Sequence, residues 1–325
     1  LPLFAEKKIR TFTLPINTKN ELHPKLYFAL PRILEILKKE EIQLIHAHTR
    51  VTQVLAFWLS LISKTPVVTT CHGFFHPKLG RSLLPAWGDK VIAISDAVAV
   101  ALEKDFKVQK EKIATVPNGV DLEELSRTGQ MGKQAKAFFG WESNAQVIGV
   151  VARLVRDKGH EYLIQAIQTL QPDFPRLKLL IVGDGRERSM LETLCRDSGL
   201  QGAVTFTGAL PNIVQALAAM DIFVLPTTWR EGFGLSMIEA MACRKPVIVT
   251  NIWALNTLIQ DGETGLVVEP KDPQALSRAI RRYLEDPGFS SRVASNGRSL
   301  VENRFTLSRM AAGIHEVYRE LTGKK

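Results

Sequence analysis

Apolar runs alternate with amphipathic stretches along almost the whole chain. Ile42–Ala47, Pro66–Cys71, Lys90–Ile94 and Lys112–Val116 read as buried parallel strands, with helices predicted at Leu26–Lys39, Thr52–Ile62 and Ala97–Asp105. The rhythm stops at Gln130–Asn144, a polar stretch carrying Gly132 and Gly140 just after Gly129, which reads as a linker. It then restarts, with strands predicted at Gln146–Ala152, Leu177–Val182, Val204–Thr207, Asp221–Leu225, Pro246–Val249 and Leu266–Val268. Helices are expected between them at Gly159–Leu170, Arg186–Arg196, Asn212–Ala219, Leu235–Ala242 and Pro273–Leu284. Leu307–Leu321 is amphipathic with no strand after it, and is expected to cross back to the first domain.

Two successive βαβ series predict an α/β protein with two doubly wound parallel sheets, each covered by helices on both faces. The expected division is 1–140 for the first domain, joined by a helix within 305–325, and 141–304 for the second. Ligands of such sheets lie beyond the carboxyl ends of the strands, so the natural site of a two-sheet protein is a cleft between them.

Composition narrows the classes. The 325 residues are 45% hydrophobic and 23% charged, an ordinary globular balance that excludes disorder, collagen and low-complexity repeats. The longest apolar stretch, Val54–Ile62, is far below the ~20 residues of a spanning helix, and no signal peptide is read at the start. The net charge of +9 is spread without a block. It suits anionic small molecules, phosphates or an anionic membrane surface rather than nucleic acid, for which no aromatic-interleaved basic stripe is present. Cys71, Cys195 and Cys243 are odd in number and form no CxxC, which fits a reducing cytosol.

Three loops at strand ends carry candidate chemistry. Glu231-Gly232-Phe233-Gly234-Leu235 follows a buried strand and opens a helix. Its glycines let the backbone approach a ligand closely, and the free N–H groups around Leu235–Met237 suit a phosphate. Glu231 and Glu239, eight residues apart, are placed to accept hydrogen bonds from sugar and ribose hydroxyls. Arg153 and Lys158 bracket a loop at another strand end and would hold a diphosphate and stabilise it as a leaving group. Gly183-Asp184-Gly185 is only part of a dinucleotide fingerprint; a tight turn with backbone contacts to a nucleotide is the expectation. His72 stands at the end of its strand on the expected cleft side, while His46 and His48 share one face of theirs. No DxD pair, nucleophile elbow or Walker loop occurs, which argues against a serine hydrolase and a P-loop enzyme.

Taken together, these residues resemble the family 4 retaining glycosyltransferases. Glu231 to Glu239 matches the family's E-x7-E motif, and Lys245-Pro246-Val247-Ile248 follows it. His46-Ala47-His48, Thr70-Cys71-His72-Gly73, Val91-Ile92-Ala93-Ile94-Ser95, Pro117-Asn118-Gly119-Val120-Asp121, Val182-Gly183-Asp184-Gly185 and Asp261-Gly262-Glu263-Thr264-Gly265 fall in the family's order. The resemblance implies the GT-B fold, two Rossmann-like domains facing across a cleft, with the acceptor mainly on the first and the sugar nucleotide mainly on the second. It implies that Arg153 and Lys158 hold the donor diphosphate and Glu231 contacts the donor sugar. Gly232, Phe233, Gly234 and Leu235 would supply backbone contacts, with Gly183 and Gly185 also at the donor, and Glu239 would bind ribose. His72 would contact the donor sugar near the reacting carbon. Glu231, His72, Arg153 and Lys158 are thus the expected catalytic set. No metal or other cofactor is expected. Retention in the family is ascribed to front-face attack, the leaving phosphate assisting deprotonation of the acceptor.

The family begins with a strand and a glycine-rich turn. Here residue 1 is Leu; Leu1–Glu6 reads like the end of the first helix and Lys8–Leu14 like the second strand, so the first strand is expected to be missing. The family's Gly-Gly-x-Pro-Glu is replaced by Trp253-Ala254-Leu255-Asn256-Thr257. The implied function is transfer of a sugar from a UDP- or GDP-sugar to a hydroxyl of a glycan or lipid-linked acceptor in bacterial polysaccharide or lipopolysaccharide synthesis. The enzyme would be cytoplasmic, with Lys7, Lys8, Arg10, Lys19, Lys38 and Lys39 available for peripheral contact with anionic membrane. The alternatives are a non-catalytic nucleotide-sugar binder with an incomplete first domain, and another GT-B enzyme such as an epimerase, which residues 231–239 disfavour.

Overall fold

The computed structural model describes residues 4, 6–16, 18, 20–21, 23–75, 81 and 84–323. The chain forms two compact units, one of Leu1–Ala93, Ala99–Thr115 and Ile314–Lys325, the other of Ile94–Val98 and Val116–Gly313.

In the first unit β1 (Ile45–Ala47), β2 (Val67–Cys71), β3 (Lys90–Ala93) and β4 (Ile113–Thr115) form a parallel sheet in that order. All five residues of β2 are buried, so this strand shows no polar alternation. Thr49 opens the Arg50–Ser63 helix with a capping box shared with Thr52. The last turns of the Leu307–Thr322 helix lie on this unit, where Glu320 pairs with Lys90 at 2.7 Å.

Lys8–Leu14, expected as a strand, forms none. Its alternating Phe12 and Thr side chains find no partner strand, and Phe12 stays half exposed. Most of Leu1–Glu6 lies outside the described residues, as does Lys19. Arg10 is paired with Glu40, so it is not a free cation.

In the second unit β5 (Gln146–Val151), β6 (Leu177–Val182), β7 (Val204–Gly208), β8 (Ile222–Leu225), β9 (Val247–Thr250) and β10 (Leu266–Val268) form a parallel sheet ordered β10-β9-β8-β5-β6-β7. The order reverses between β5 and β8, the position where doubly wound sheets open a crevice for ligands. Ile148, Val150, Leu179, Ile181 and Val224 form its sealed centre with Leu163 and Ile167 of the His160–Leu170 helix.

Two expectations are corrected here. The Gln130–Asn144 stretch is not a linker: it carries a helix, Gly132–Phe138, with Ala135 and Lys136 buried. The Lys136 ammonium donates to the Asp221 carboxylate at 2.8 and 2.9 Å and to the Ala145 carbonyl at 2.8 Å. That charge pair, buried at Lys136 and open to solvent at Asp221, ties the helix to the start of β8, and the second unit takes up the chain at Val116 rather than at 141. An additional helix, Pro287–Arg304, is capped by Asp286 and buries Phe289, Val293, Gly297 and Val301. This four-residue spacing lays it against the Leu235–Ala242 helix, where a side chain at Gly297 would meet Met241 and the Thr264 carbonyl.

Candidate functional site

The loops after β5 and β8 meet beside the switch point. After β5 the chain leaves Arg153 exposed, buries Leu154, and turns through Arg156–Lys158 into Gly159. Gly159 has φ +67°, and a Cβ there would sit 2.0 Å from the Pro226 carbonyl oxygen, so only glycine lets the two loops touch. The Thr228 N–H donates to the Asp157 carbonyl at 2.8 Å and fastens the same contact.

This packing brings Lys158 to Glu231. Their ammonium and carboxylate form an ion pair, with side chains 17% and 16% exposed. The second Glu231 oxygen accepts the Gly232 N–H at 3.0 Å. Arg153 has no partner among the described residues, so its guanidinium is available to an anion.

Gly234, at φ +76°, starts the Leu235–Ala242 helix without a side-chain cap. The first intrahelical bonds come from Met237 and Ile238 to the Gly234 carbonyl. Among the described residues the N–H groups of Leu235 and Ser236 have no backbone acceptor. Phe233 is buried against Phe305, ring centroids 5.5 Å apart, which anchors the loop from below.

Gly183 and Gly185 are explained by backbone contact with the β5 loop. A Cβ at Gly183 would lie 2.0 Å from the Ala152 carbonyl oxygen, and one at Gly185 2.3 Å from that of Leu154. The Leu154 N–H donates to the Asp184 carbonyl at 2.9 Å. These glycines hold the Arg153 loop in place.

Glu239 lies on the second turn of its helix, partly buried. Burial, and then the charge of Glu124, raise its carboxyl from 4.5 to about 7. Glu124 is itself held by Asn212, whose amide donates to it at 2.7 Å. A carboxyl raised by folding contributes stability that is fully present below about 4.5 and is lost as pH climbs through about 7. Glu239→Gln should remove that slope, so melts of wild type near pH 5.5 and 8 should differ more than those of the variant.

His72 belongs to the first unit. It forms a histidine group with His48, whose Nδ1 is 3.1 Å from His72 Nε2, and with His46 packed at a tilt against His48. Among the described residues no set of three or more His, Cys, Asp or Glu is arranged to hold a metal ion. Trp253, which replaces the expected glycines, opens a short helix after β9 and is half exposed rather than packed in the core.

Sequence reasoning missed two anchors. The Ser95 hydroxyl donates to the Gly232 carbonyl at 2.7 Å, and Thr228 makes the latch to Asp157. Ser95 closes the family-like Val91–Ser95 run, but the bond that each hydroxyl or N–H makes has no local signal, since it reaches a residue far away in the chain.

Comparison with known proteins places this arrangement. Residues 133–300 match the family model described as Glycosyl transferases group 1, and residues 2–124 that of Glycosyltransferase Family 4. The chain belongs to the group 1 glycosyltransferases and has the GT-B fold. The UDP-Gal:alpha-D-GlcNAc-diphosphoundecaprenol alpha-1,3-galactosyltransferase of Escherichia coli is 27% identical over 99% of this chain and 87% of its own length. The D-inositol 3-phosphate glycosyltransferase of Corynebacterium urealyticum is 33% identical over 72% of this chain and 57% of its own. The crystal structure of Anabaena HepE (Alr3699) in complex with UDP-glucose superposes with a TM-score of 0.86, 25% identity, and coverage of 98% and 88%. The protein is thus a glycosyltransferase. No helix among the described residues is long and apolar enough to cross a membrane.

Proposed function

We propose that this glycosyltransferase transfers a sugar, with retention of configuration, from a UDP-sugar to a hydroxyl of a glycan or lipid-linked acceptor in envelope polysaccharide assembly. The observation that carries the reading is the Lys158–Glu231 pair at the switch point of the second sheet, with Arg153 on the same β5 loop, unpartnered among the described residues, and the uncapped Leu235–Ala242 helix opening four residues after Glu231. A diphosphate needs cations and N–H donors, and the adjoining sugar needs an acceptor such as Glu231. The named donors of the E. coli and Anabaena relatives, UDP-Gal and UDP-glucose, favour uridine over guanosine.

In the reaction the bond between the sugar's anomeric carbon and the phosphate oxygen breaks, and the acceptor oxygen bonds to the same face. The acceptor proton passes to the departing phosphate oxygen. Arg153 and Lys158 stabilise the charge that collects on the diphosphate, Glu231 orients the sugar and Glu239 holds the ribose hydroxyls. Gly232, Gly234 and Leu235 bring backbone to sugar and phosphate, and His72, just after β2 of the first unit, keeps the role that the family resemblance implies, a contact to the donor sugar. The cations supply the charge that a metal ion supplies elsewhere, so transfer proceeds without one. The chain acts on the cytoplasmic side of the membrane, where Lys38 and Lys39 at the exposed end of the Pro24–Lys39 helix support peripheral contact with anionic lipid.

The test is transfer from UDP-sugars to lipid-diphosphate and glycan acceptors, with the anomeric configuration of the product read by NMR. An axial donor bond should give an axial product bond; inversion contradicts the reading. Activity should persist in EDTA, and complete loss with chelator contradicts the metal-free mechanism.

A further inference from the structure

Three imidazoles and a phenol form a continuous group on the first unit, at the carboxyl ends of β1 and β2. His46 is held at both nitrogens: Nδ1 meets the Tyr318 hydroxyl at 2.6 Å and Nε2 the Thr70 hydroxyl at 2.7 Å. Its ring packs tilted against His48, centroids 4.2 Å apart and planes at 34°, and the His48 and His72 rings lie nearly parallel, 5.3 Å apart and 27° between planes. The group ends in the contact between His48 Nδ1 and His72 Nε2 at 3.1 Å. The remaining nitrogen of His72, Nδ1, has no partner among the described residues.

Burial pushes all three histidines below their ordinary value, His46 to about 4, and the neighbouring imidazoles push His46 and His72 further the same way. All three rings are therefore neutral at neutral pH, and each carries one N–H. The His48–His72 contact needs one proton between its two nitrogens, so the tautomers of the two rings are tied together. If His72 carries its proton on Nε2, both rings adopt the Nε2–H form that imidazole intrinsically prefers, and His72 Nδ1 is a bare acceptor. The opposite arrangement puts both rings in the less stable form.

We infer that His48 is a positioning residue for transfer: it accepts the His72 Nε2–H and so fixes His72 as an acceptor, through Nδ1, for a ligand hydroxyl. Tyr318 and Thr70 clamp His46, and His46 packs against one side of the His48 ring and limits its rotation. The inference rests on the reading of His72 as a donor-sugar contact. It adds that the hydrogen bond runs from the sugar hydroxyl to the ring.

The experiment is long-range proton–nitrogen correlation NMR on histidine-labelled protein, alongside kinetics of two His48 variants. In the wild type His72 should be protonated at Nε2 alone. His48→Phe keeps a stacked ring but removes the acceptor; kcat/KM should fall about tenfold, the effect of losing one orienting hydrogen bond. His48→Asn places an amide oxygen near the lost nitrogen and should recover most of that loss. A wild-type His72 that is a tautomer mixture, or protonated at Nδ1, overturns the inference even if the variants fail to fold. So does a His48→Phe enzyme as active as wild type, or an Asn variant no better than Phe. Full activity of His72→Ala would instead overturn the reading of His72 beneath it.

Discussion

Replacing Glu231 with Ala should lower the transfer rate about a thousandfold, close to 4 kcal/mol of transition-state stabilisation. The carboxylate serves two partners, the Lys158 ammonium and the Gly232 N–H. Its loss removes the acceptor proposed for the donor sugar and releases the cation proposed for the diphosphate. Orientation and charge are disturbed together. The fold should survive, because Glu231 lies in a loop, but with a loss of about 3 kcal/mol, since the pair is mostly buried and the variant leaves Lys158 without its partner. Initial rates with melting curves check both halves; turnover like that of the wild type would contradict the role.

Gly159→Ala should cost roughly 3 kcal/mol of stability, and Gly140→Ala only about 1 kcal/mol. Both glycines have positive φ, +67° and +76°, so both substitutions carry the left-handed penalty. They differ in what surrounds them. The new methyl at 159 meets a backbone oxygen at 2.0 Å, while at 140 nothing lies within 4 Å. Pro226 cannot retreat freely, because Thr228 beside it is bonded to Asp157. The 159 variant should also lose nucleotide binding as Lys158 is displaced. Denaturant titration of the two variants measures the difference; equal losses would mean that the loop contact relaxes at no cost.

The central strands of the second sheet, β5, β6, β8 and β9, are legible in the sequence because they are largely sealed on both faces. Leu177–Val182 and Leu235–Ala242 have the bounds that their apolar patterns predict. Lys136 shows the opposite case. A lysine in a glycine-rich polar stretch reads as solvent-facing, and only Asp221, far along the chain, makes its burial affordable. The Pro287–Arg304 helix did carry a signal, an Asp-Pro start and apolar or small residues at 289, 293, 297 and 301, but its polar remainder obscured it. At the site, the loops announced themselves by their positions after strands. The anchors Ser95 and Thr228 did not, since a hydroxyl reaching a distant carbonyl leaves no periodicity. Lys8–Leu14 shows that alternation alone makes no strand without a partner edge.

The central claim is that the Lys158–Glu231 site takes the diphosphate of a nucleotide-sugar. Its most direct test is the thermal midpoint of the chain in a panel of UDP, GDP, ADP and uridine, without metal, for wild type and Lys158→Ala. Binding to the native state raises the midpoint in proportion to the logarithm of ligand over Kd. UDP should raise it in the wild type, uridine much less, and the variant should lose most of the UDP shift. An equal UDP shift in both proteins, or none in the wild type, would contradict the account.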